Sequence, residues 1–326
     1  MRLATIQESP SGSGAFRRFA RRRAAAVGFL LLAGPACSSA GVVRVDGSST
    51  VFPLTERVVT AYREEHVGAK VSVGISGSLG GFRKLMHGAV EICAASAPVW
   101  LQQIGAWSGD DGELVRVPVA RDGIVVAVSR ENDWCRELTL SDLRRIWSRA
   151  AQGHIVRWDQ VRPDFPRRPL RLFGPGVDSG TYAWFTEAIL GAGEASRGDY
   201  TASENDAVLV NGVAGDPDAL GFFSYGSYLS AAPRLQAVAV ENPDLGDMVA
   251  PNPDAIAGGR YAPLARTVYL VVRAPSLSRA EVRDFLEFYL DRAPVEAPRV
   301  GLVALPDVLY REGRRLLERS RYGGVP

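Results

Sequence analysis

The chain has 326 residues, of which 46% are hydrophobic and 23% are charged, and its formal net charge is +2. This composition is typical of a globular protein, and it excludes a disordered chain, a collagen-like chain and a membrane protein with several spans. The first 36 residues hold six arginines and one glutamate, so the remainder carries more acidic than basic residues, which argues against general nucleic-acid binding.

The N-terminal segment has the three parts of an export signal: a basic stretch, an apolar run and then small residues up to Cys37. The apolar run is much shorter than the roughly 20 residues that a membrane-spanning helix needs. We therefore predict a signal peptide at 1–36. Cys37 resembles the lipid-attachment site of bacterial lipoproteins, which predicts an exported protein of the periplasm or a lipoprotein of the cell envelope. Ordinary cleavage near Ala36 or Ala40 is the alternative, and the Arg17-Arg18 pair leaves the twin-arginine export route open.

Beyond this segment the chain alternates predicted strands and helices. The helix that begins at Thr50 places Leu54 and Val58 on one face, near a period of 3.6 residues. Ser141 is predicted to cap a later short helix. Alternation of this kind predicts an α/β protein with a mostly parallel sheet and helices on its faces. The predicted strands are 42–45, 70–75, 123–129, 170–173 and 267–272, and the predicted helices are 50–65, 82–87, 141–147, 178–190 and 278–291.

Serine, threonine and glycine cluster at three predicted strand-to-helix junctions, at 47–50, 76–81 and 178–181. A helix N-terminus presents unpaired N–H groups and about half a positive charge, so it attracts an anion. Glycine allows close approach of the backbone, and hydroxyl groups donate further hydrogen bonds. Any one of these segments is explained by ordinary helix capping. The three together predict a pocket for a small oxyanion.

The motifs of several common enzyme classes are absent from the sequence. There is no G-x-S-x-G, no S-x-x-K and no phosphate loop ending in G-K. The three histidines, His66, His87 and His154, lack the spacing of metal ligands. We therefore predict a binding protein without a catalytic residue, cofactor or metal. A hydrolase that uses Ser179 or Ser78 is the alternative.

At these residues the chain resembles the phosphate-binding proteins of bacterial Pst phosphate ABC transporters. The resemblance covers essentially the whole mature chain and is carried by residues 47–53, 74–81, 172–182, 196–206 and 221–223. It implies the two-lobed periplasmic-binding-protein (type II) fold, in which a ligand cleft lies between two α/β domains joined by two crossover strands. Lobe one is then expected at 41–126 plus 266–326, and lobe two at 127–265.

The resemblance also implies a function. The protein is expected to be an extracytoplasmic solute-binding protein that captures inorganic phosphate and delivers it to the permease subunits of an ABC transporter. It would act as a monomer, held at the membrane by a lipid anchor alone and without nucleic acid. The alternatives are a binder of another tetrahedral oxyanion, such as sulfate, and a secreted phosphate-ester hydrolase.

The resemblance carries a set of binding residues over by position. The better-studied branch of the family has an arginine where this chain has Pro175, so we expect Arg197 to supply the positive charge that a buried anion needs. That branch also has a carboxylate that accepts the proton of phosphate where this chain has Ser96, and a serine does not repel sulfate as a carboxylate does. The expected ligand-binding residues are Ser49, Thr50, Val51, Ser78, Ser96, Ser179, Gly180, Thr181 and Arg197, and the possible proton acceptors are Asp122, Glu204 and Asp206.

Two further cysteines, Cys93 and Cys135, fall in different expected lobes. An exported protein matures in an oxidising compartment, where a disulfide is possible. Because of their separation we predict two buried thiols instead.

Overall fold

The computed structural model describes residues 41–96, 114–191 and 195–321. The predicted signal peptide at 1–36 and the predicted lipid-attachment site at Cys37 lie outside these residues. Within the described ranges, no helix combines the length and the apolar character needed to cross a membrane.

The first part of the described chain alternates strands and helices as predicted. It contains β1 (Val43–Gly47), α1 (Phe52–Glu65), β2 (Val71–Ile75), α2 (Gly77–Met86) and β3 (Ile92–Ala95). The apolar face of α1 is confirmed, because Leu54 and Val58 are buried. β1 pairs in parallel with both β2 and β3. The carboxyl ends of the three strands therefore meet at one edge of the sheet, where α1 and α2 begin.

The second part of the chain begins with a long strand, and the last three elements of the chain pack with the first part again. In chain order it has β4 (Leu114–Ser129), β5 (Glu137–Leu138), α3 (Leu140–Trp147), β6 (Arg171–Gly174), α4 (Gly180–Leu190), β7 (Thr201–Ala202), α5 (Asp206–Ala214), β8 (Ala219–Ser224), α6 (Tyr225–Leu229), β9 (Leu235–Ala237), β10 (Ala239–Glu241), β11 (Met248–Val249) and α7 (Pro253–Ala257). The chain ends with β12 (Ala265–Arg273), α8 (Ala280–Arg299) and α9 (Asp307–Arg321).

One large sheet runs through both parts in the order β2-β1-β3-β12-β4-β8-β6-β7, with β9 also paired to β4. β12 and β4 are antiparallel neighbours, and their register shifts between Val268 and Tyr269. β12 pairs on its other side with β3, whereas β4 pairs with β8 and β9. A small separate sheet consists of β11, β10 and β5. β4 and β12 thus connect the two parts at the centre of the large sheet.

Buried side chains form two large hydrophobic cores. β4 contributes to both, because its residues up to Ala120 pack in the first core and its residues from Ile124 pack in the second. Arg121, Asp122 and Gly123 lie between them. The first core includes Val45, Leu54, Leu270, Phe285 and Tyr289, and the second includes Val125, Trp147, Trp158, Phe185 and Phe222.

The predicted cap of α3 is wrong. Thr139 is the N-cap, and its hydroxyl accepts a hydrogen bond from the Asp142 N–H at 3.1 Å while the Asp142 carboxylate accepts one from the Thr139 N–H at 2.9 Å. These reciprocal bonds form a capping box, which satisfies more N–H groups than a cap at Ser141 would. The bounds of a second predicted helix differ as well, because the helix predicted at 278–291 begins at Ala280 and continues to Arg299.

Cys93 and Cys135 are both buried and free, which confirms the prediction of two thiols. Burial raises the pKa of both thiols, and that of Cys135 reaches about 12. Both therefore stay protonated at neutral pH and pack as small apolar side chains.

Candidate functional site

The first two predicted anion segments meet at the carboxyl ends of β1, β2 and β3. Ser48 follows β1, and its Oγ donates to Ser96 Oγ at 2.8 Å. Ser96 follows β3, and its N–H donates to Ser78 Oγ, in the first turn of α2, at 3.0 Å. All three side chains are buried. The parallel strands thus bring together hydroxyl groups that are distant in sequence.

Glycine is required at this edge for a physical reason. Gly47 has a φ of 146°, and a Cβ at this position would collide with the carbonyl oxygen of Ala94. Gly77 has a φ of 74°, which favours glycine, and a Cβ there would lie 2.5 Å from the carbonyl oxygen of Asp178. The two glycines therefore let the anion segments approach β3 and the third segment closely.

The third segment reaches the same place from the second part of the chain. Ser179 is the N-cap of α4, and its side chain accepts a hydrogen bond from the Thr181 N–H at 3.1 Å. Thr181 Oγ1 lies 3.3 Å from Thr50 Oγ1, which belongs to the first segment. We use "hydroxyl cluster" for Ser48, Thr50, Ser78, Ser96 and Thr181, all of which are buried.

A buried ion pair adjoins the hydroxyl cluster. Arg266 on β12 lies opposite Asp122 on β4, and Nη2 of the arginine lies 2.7 Å from Oδ2 of the aspartate, with both side chains fully buried. Nη2 of Arg266 also donates to Thr181 Oγ1 at 2.7 Å and to Thr50 Oγ1 at 3.2 Å. The Nη1 group of Arg266 is buried and has no hydrogen-bond partner among the described residues.

Asp122 holds this arginine in place. Its Oδ2 accepts from both Nε and Nη2 of Arg266, and its Oδ1 accepts from the Tyr225 N–H at 3.2 Å. Complete burial raises the pKa of Asp122, and the Arg266 guanidinium opposes that rise. The carboxylate therefore depends on the arginine for its charge, and the arginine depends on the carboxylate for its orientation.

Sequence reasoning missed Arg266 and placed the positive charge at Arg197 instead. The structure places Arg197 elsewhere: its guanidinium binds Asp199 and donates to the carbonyl oxygens of Ile146 and Ile155. Hydrogen bonding to Arg197 lowers the pKa of Asp199 to about 2. Arg197 therefore stabilises a loop of the second part, and among the described residues no hydrogen bond or ion pair joins it to the hydroxyl cluster. The available signal for Arg266 was its position as a single arginine directly before the apolar strand predicted at 267–272.

The other predicted ligand residues flank the hydroxyl cluster. Ser49 Oγ donates to Asp206 Oδ1 at 3.2 Å, and Asp206 also accepts from Ser224 and Ser227. The Val51 N–H donates to the carbonyl oxygen of Ser48 within the first segment. Gly180 is the first residue of α4, directly after its N-cap. Asp206 thus joins the first anion segment to α5 and α6.

The predicted proton acceptors occupy three different surroundings. Asp122 is bound by Arg266, and Asp206 is surrounded by serine hydroxyls. Glu204 lies beside Gly77 and Gly176, and its Oε2 is buried without a hydrogen-bond partner among the described residues. No hydrogen bond in the described part of the chain joins Glu204 to the hydroxyl cluster.

Two cavities reach the edge of the site. One of about 290 Å³ is lined by Arg266, Trp184 and Tyr269, among others. A second of about 540 Å³ is lined by Ser49, Thr50 and residues of α6, among others. Open space therefore lies beside Arg266 on the side of β12 and beside Thr50 of the hydroxyl cluster on the side of α6.

Comparison with known proteins decides the family. A model of the PBP superfamily domain matches residues 34–293. The chain belongs to the PBP superfamily. Protein SphX of Synechocystis is 36% identical over 91% of this chain and 89% of its own length. The phosphate-binding protein PstS of Staphylococcus saprophyticus is 30% identical, with 85% of each chain covered.

Solved structures of similar proteins agree with this assignment. The crystal structure of a possible phosphate binding protein from Planctomyces limnophilus is 32% identical, has a TM-score of 0.65 and covers 87% of this chain and 99% of its own. A substrate-binding protein from Clostridium perfringens with bound phosphate is 21% identical, with a TM-score of 0.67 and coverage of 82% and 100%, and it shows a shared fold. The predicted family resemblance and fold class are confirmed.

Proposed function

We propose that this protein binds inorganic phosphate at the hydroxyl cluster and delivers it to the permease of an ABC transporter. One observation carries the proposal. The buried Nη1 group of Arg266 has no partner in the described part of the chain, and it belongs to a guanidinium that already contacts hydroxyls from the first and third anion segments. A buried donor of this kind is costly unless a ligand satisfies it.

The chemistry of the surrounding groups fits a small dianion. A hydroxyl group donates one hydrogen bond and accepts others, so the cluster can serve both the P–O⁻ oxygens and the P–O–H group of hydrogen phosphate. Arg266 supplies the positive charge, since burying an anion without a cation is very costly. Hydrogen bonds to charged groups contribute about 1.5–3 kcal/mol each. Because Asp122 and the strand ends hold these groups in place, little ordering is needed on binding.

The two hydrophobic cores support a two-lobed arrangement. We propose lobe one at 41–126 plus 266–326 and lobe two at 127–265, joined by β4 and β12. Thr50 and Ser49 on the first side contact Thr181 and Asp206 on the second. These contacts represent the closed arrangement of a hinged cleft, whose two sides separate to admit the anion.

The transport role is supported by relatives that are named phosphate-binding protein PstS. We extend to this chain an exported location, a lipid anchor at Cys37 as its only membrane attachment, permease subunits as its partner and a monomeric state. Measurement of lipid attachment in wild-type protein and in a Cys37→Ser variant tests the anchor.

A binding role is favoured over hydrolysis by the surroundings of the serines. Ser78 Oγ accepts from the Ser96 N–H, and Ser179 Oγ accepts from the Thr181 N–H. Among the described residues, no histidine or lysine is hydrogen-bonded to either hydroxyl, so neither serine has a base of the kind that activates a nucleophile.

A second candidate ligand is sulfate. It is favoured by Ser96, which is a hydroxyl group within the cluster and which does not repel an unprotonated dianion. Phosphate remains our proposal because one relative is named phosphate-binding protein PstS and one solved structure is described as a possible phosphate binding protein.

Calorimetric titration of protein stripped of bound ligand tests the proposal, with phosphate, arsenate and sulfate added separately. We expect phosphate to bind with one-to-one stoichiometry. Binding of sulfate without phosphate would establish the second candidate. Absence of heat with all three anions would refute the proposal, and the three segments would then be helix caps alone.

A further inference from the structure

Glu204 lies where the start of α2 meets the segment before α4. Its Oε2 is buried and lacks a hydrogen-bond partner among the described residues. A Cβ on Gly77 would lie 3.2 Å from this oxygen, and a Cβ on Gly176 would collide with Oε1. The carboxyl group is therefore enclosed by backbone from both sides, and one of its oxygens has nothing to accept from.

The same contact joins the two sides of the proposed cleft. The Leu79 N–H donates to the carbonyl oxygen of Asp178 at 3.1 Å, and Arg83 Nη2 lies 2.8 Å from Asp178 Oδ1. Leu79 and Arg83 belong to α2 on the first side, and Asp178 precedes α4 on the second. Separation of the two sides would break these bonds and expose Glu204 to water.

The charges around Glu204 do not balance a carboxylate. Burial raises the pKa of Glu204, and the charges of Asp178 and Asp206 raise it further, although a backbone hydrogen bond from Asp178 opposes the shift. The α2 cation at this contact, Arg83, is paired with Asp178. Tyr200 also faces the group and is uncharged, since burial raises its pKa as well.

We propose that closure of the cleft requires Glu204 to take up a proton, so that capture of phosphate is coupled to protonation of a residue outside the hydroxyl cluster. The proton comes from solvent, and no covalent bond changes. As a carboxylic acid, Glu204 carries no charge and can donate a hydrogen bond, whereas the carboxylate can only accept. The inference rests on the proposed function, because closure is driven by the bound anion.

The direction of the pH effect follows from the two states. In the open arrangement Glu204 is hydrated and has an ordinary pKa of about 4.3. The closed arrangement raises that pKa. Relative to the open state, the closed state is therefore most stable below the open-state pKa, and it loses stability as the pH rises through the closed-state pKa. Each unit of difference weakens phosphate binding about tenfold at high pH.

Calorimetry with inorganic phosphate tests this coupling in wild-type protein, Glu204→Gln and the control Glu137→Gln, which changes an exposed glutamate on β5. Titrations from about pH 5 to about pH 8, in buffers of different ionisation enthalpy, count the protons taken up. The ionisation of phosphate itself is common to all three proteins. We expect wild type and Glu137→Gln to take up more protons than Glu204→Gln, and Glu204→Gln to bind more tightly than wild type by about tenfold near pH 8.

Two results would overturn the inference while leaving the proposed function intact. One is equal proton uptake by Glu204→Gln and wild type at every pH. The other result does not depend on the folding of a variant. It is binding of phosphate by wild-type protein with no more proton uptake than the ionisation of phosphate itself accounts for. Absence of phosphate binding in wild type would instead overturn the proposed function itself, and this inference with it.

Discussion

Replacement of Arg266 by methionine removes the only cation that we find bonded to the hydroxyl cluster in the described residues, and it leaves Asp122 buried alone. Both side chains have 0% exposure, and their closest atoms are 2.7 Å apart. Removal of one partner of such a pair is expected to lower the free energy of unfolding by about 3–5 kcal/mol. The lost charged hydrogen bonds, at about 1.5–3 kcal/mol each, predict a phosphate affinity at least about tenfold lower.

A second variant separates the loss of stability from the loss of binding. Arg266→Met with Asp122→Asn removes both charges, and the asparagine oxygen can still accept the Tyr225 N–H that Asp122 accepts at 3.2 Å. We expect this double variant to recover most of the lost stability but none of the lost phosphate affinity. Urea unfolding followed by tryptophan fluorescence measures the first quantity, and calorimetry measures the second.

The single variant should also show a distinctive pH dependence. Without Arg266, burial still raises the pKa of Asp122, and the opposing effect of the guanidinium is gone. The native pKa then lies above the unfolded value of about 3.9, so the variant is stable below that value and loses stability as the pH rises. Wild-type phosphate affinity in Arg266→Met would refute the reasoning. The reasoning would also be refuted if the difference in stability between the single and the double variant did not grow as the pH rises.

Three other substitutions give separate tests. Arg197→Met should lower stability but leave phosphate affinity within about twofold in calorimetry, and a large loss of affinity would place Arg197 in the binding site. Its stability should fall less steeply than that of wild type as the pH drops from about 4 to 2, because the Asp199 pKa of about 2 depends on Arg197. Gly77→Ala places a Cβ 2.5 Å from the Asp178 carbonyl oxygen, so we expect affinity to fall by about tenfold or more, and unchanged affinity would argue against a close contact there. Thr139→Ala should lower the free energy of unfolding by about 1 kcal/mol through loss of the α3 cap, without a change in phosphate affinity.

The sequence was sufficient for the local features of the site. Periodicity located the buried face of α1, and the serine, threonine and glycine segments located Thr50, Ser78 and Thr181. These features depend on neighbouring residues, so their signal is contained in short stretches of chain. The common edge of β1 and β2 then followed from the alternation of strands and helices, whereas β3 was not predicted.

The cation that we propose for the site could not be found in this way. Arg266 meets Asp122 through the register between β12 and β4, which joins residues 144 positions apart in the chain, and no local pattern encodes such a register. Arg197 was preferred because it stands in a family-like stretch of polar residues, although its actual partner, Asp199, is two residues away. The cap of α3 was misplaced for a smaller reason, since Ser141 and Thr139 are both good caps and only Asp142 distinguishes them.

The sharing of β4 between the two cores limits how the protein can be divided. Residues Ile124 to Val128 are all 0% exposed, and they pair with β8 along one edge and, from Ala127, with β9 along the other. A fragment that ended within the second part of the chain would leave this apolar strand exposed, with unpaired backbone N–H and C=O groups. Such a strand is a template for aggregation. Truncation between the first and second parts should therefore yield insoluble fragments. A reporter or tag should be inserted in a surface loop instead of between the two parts.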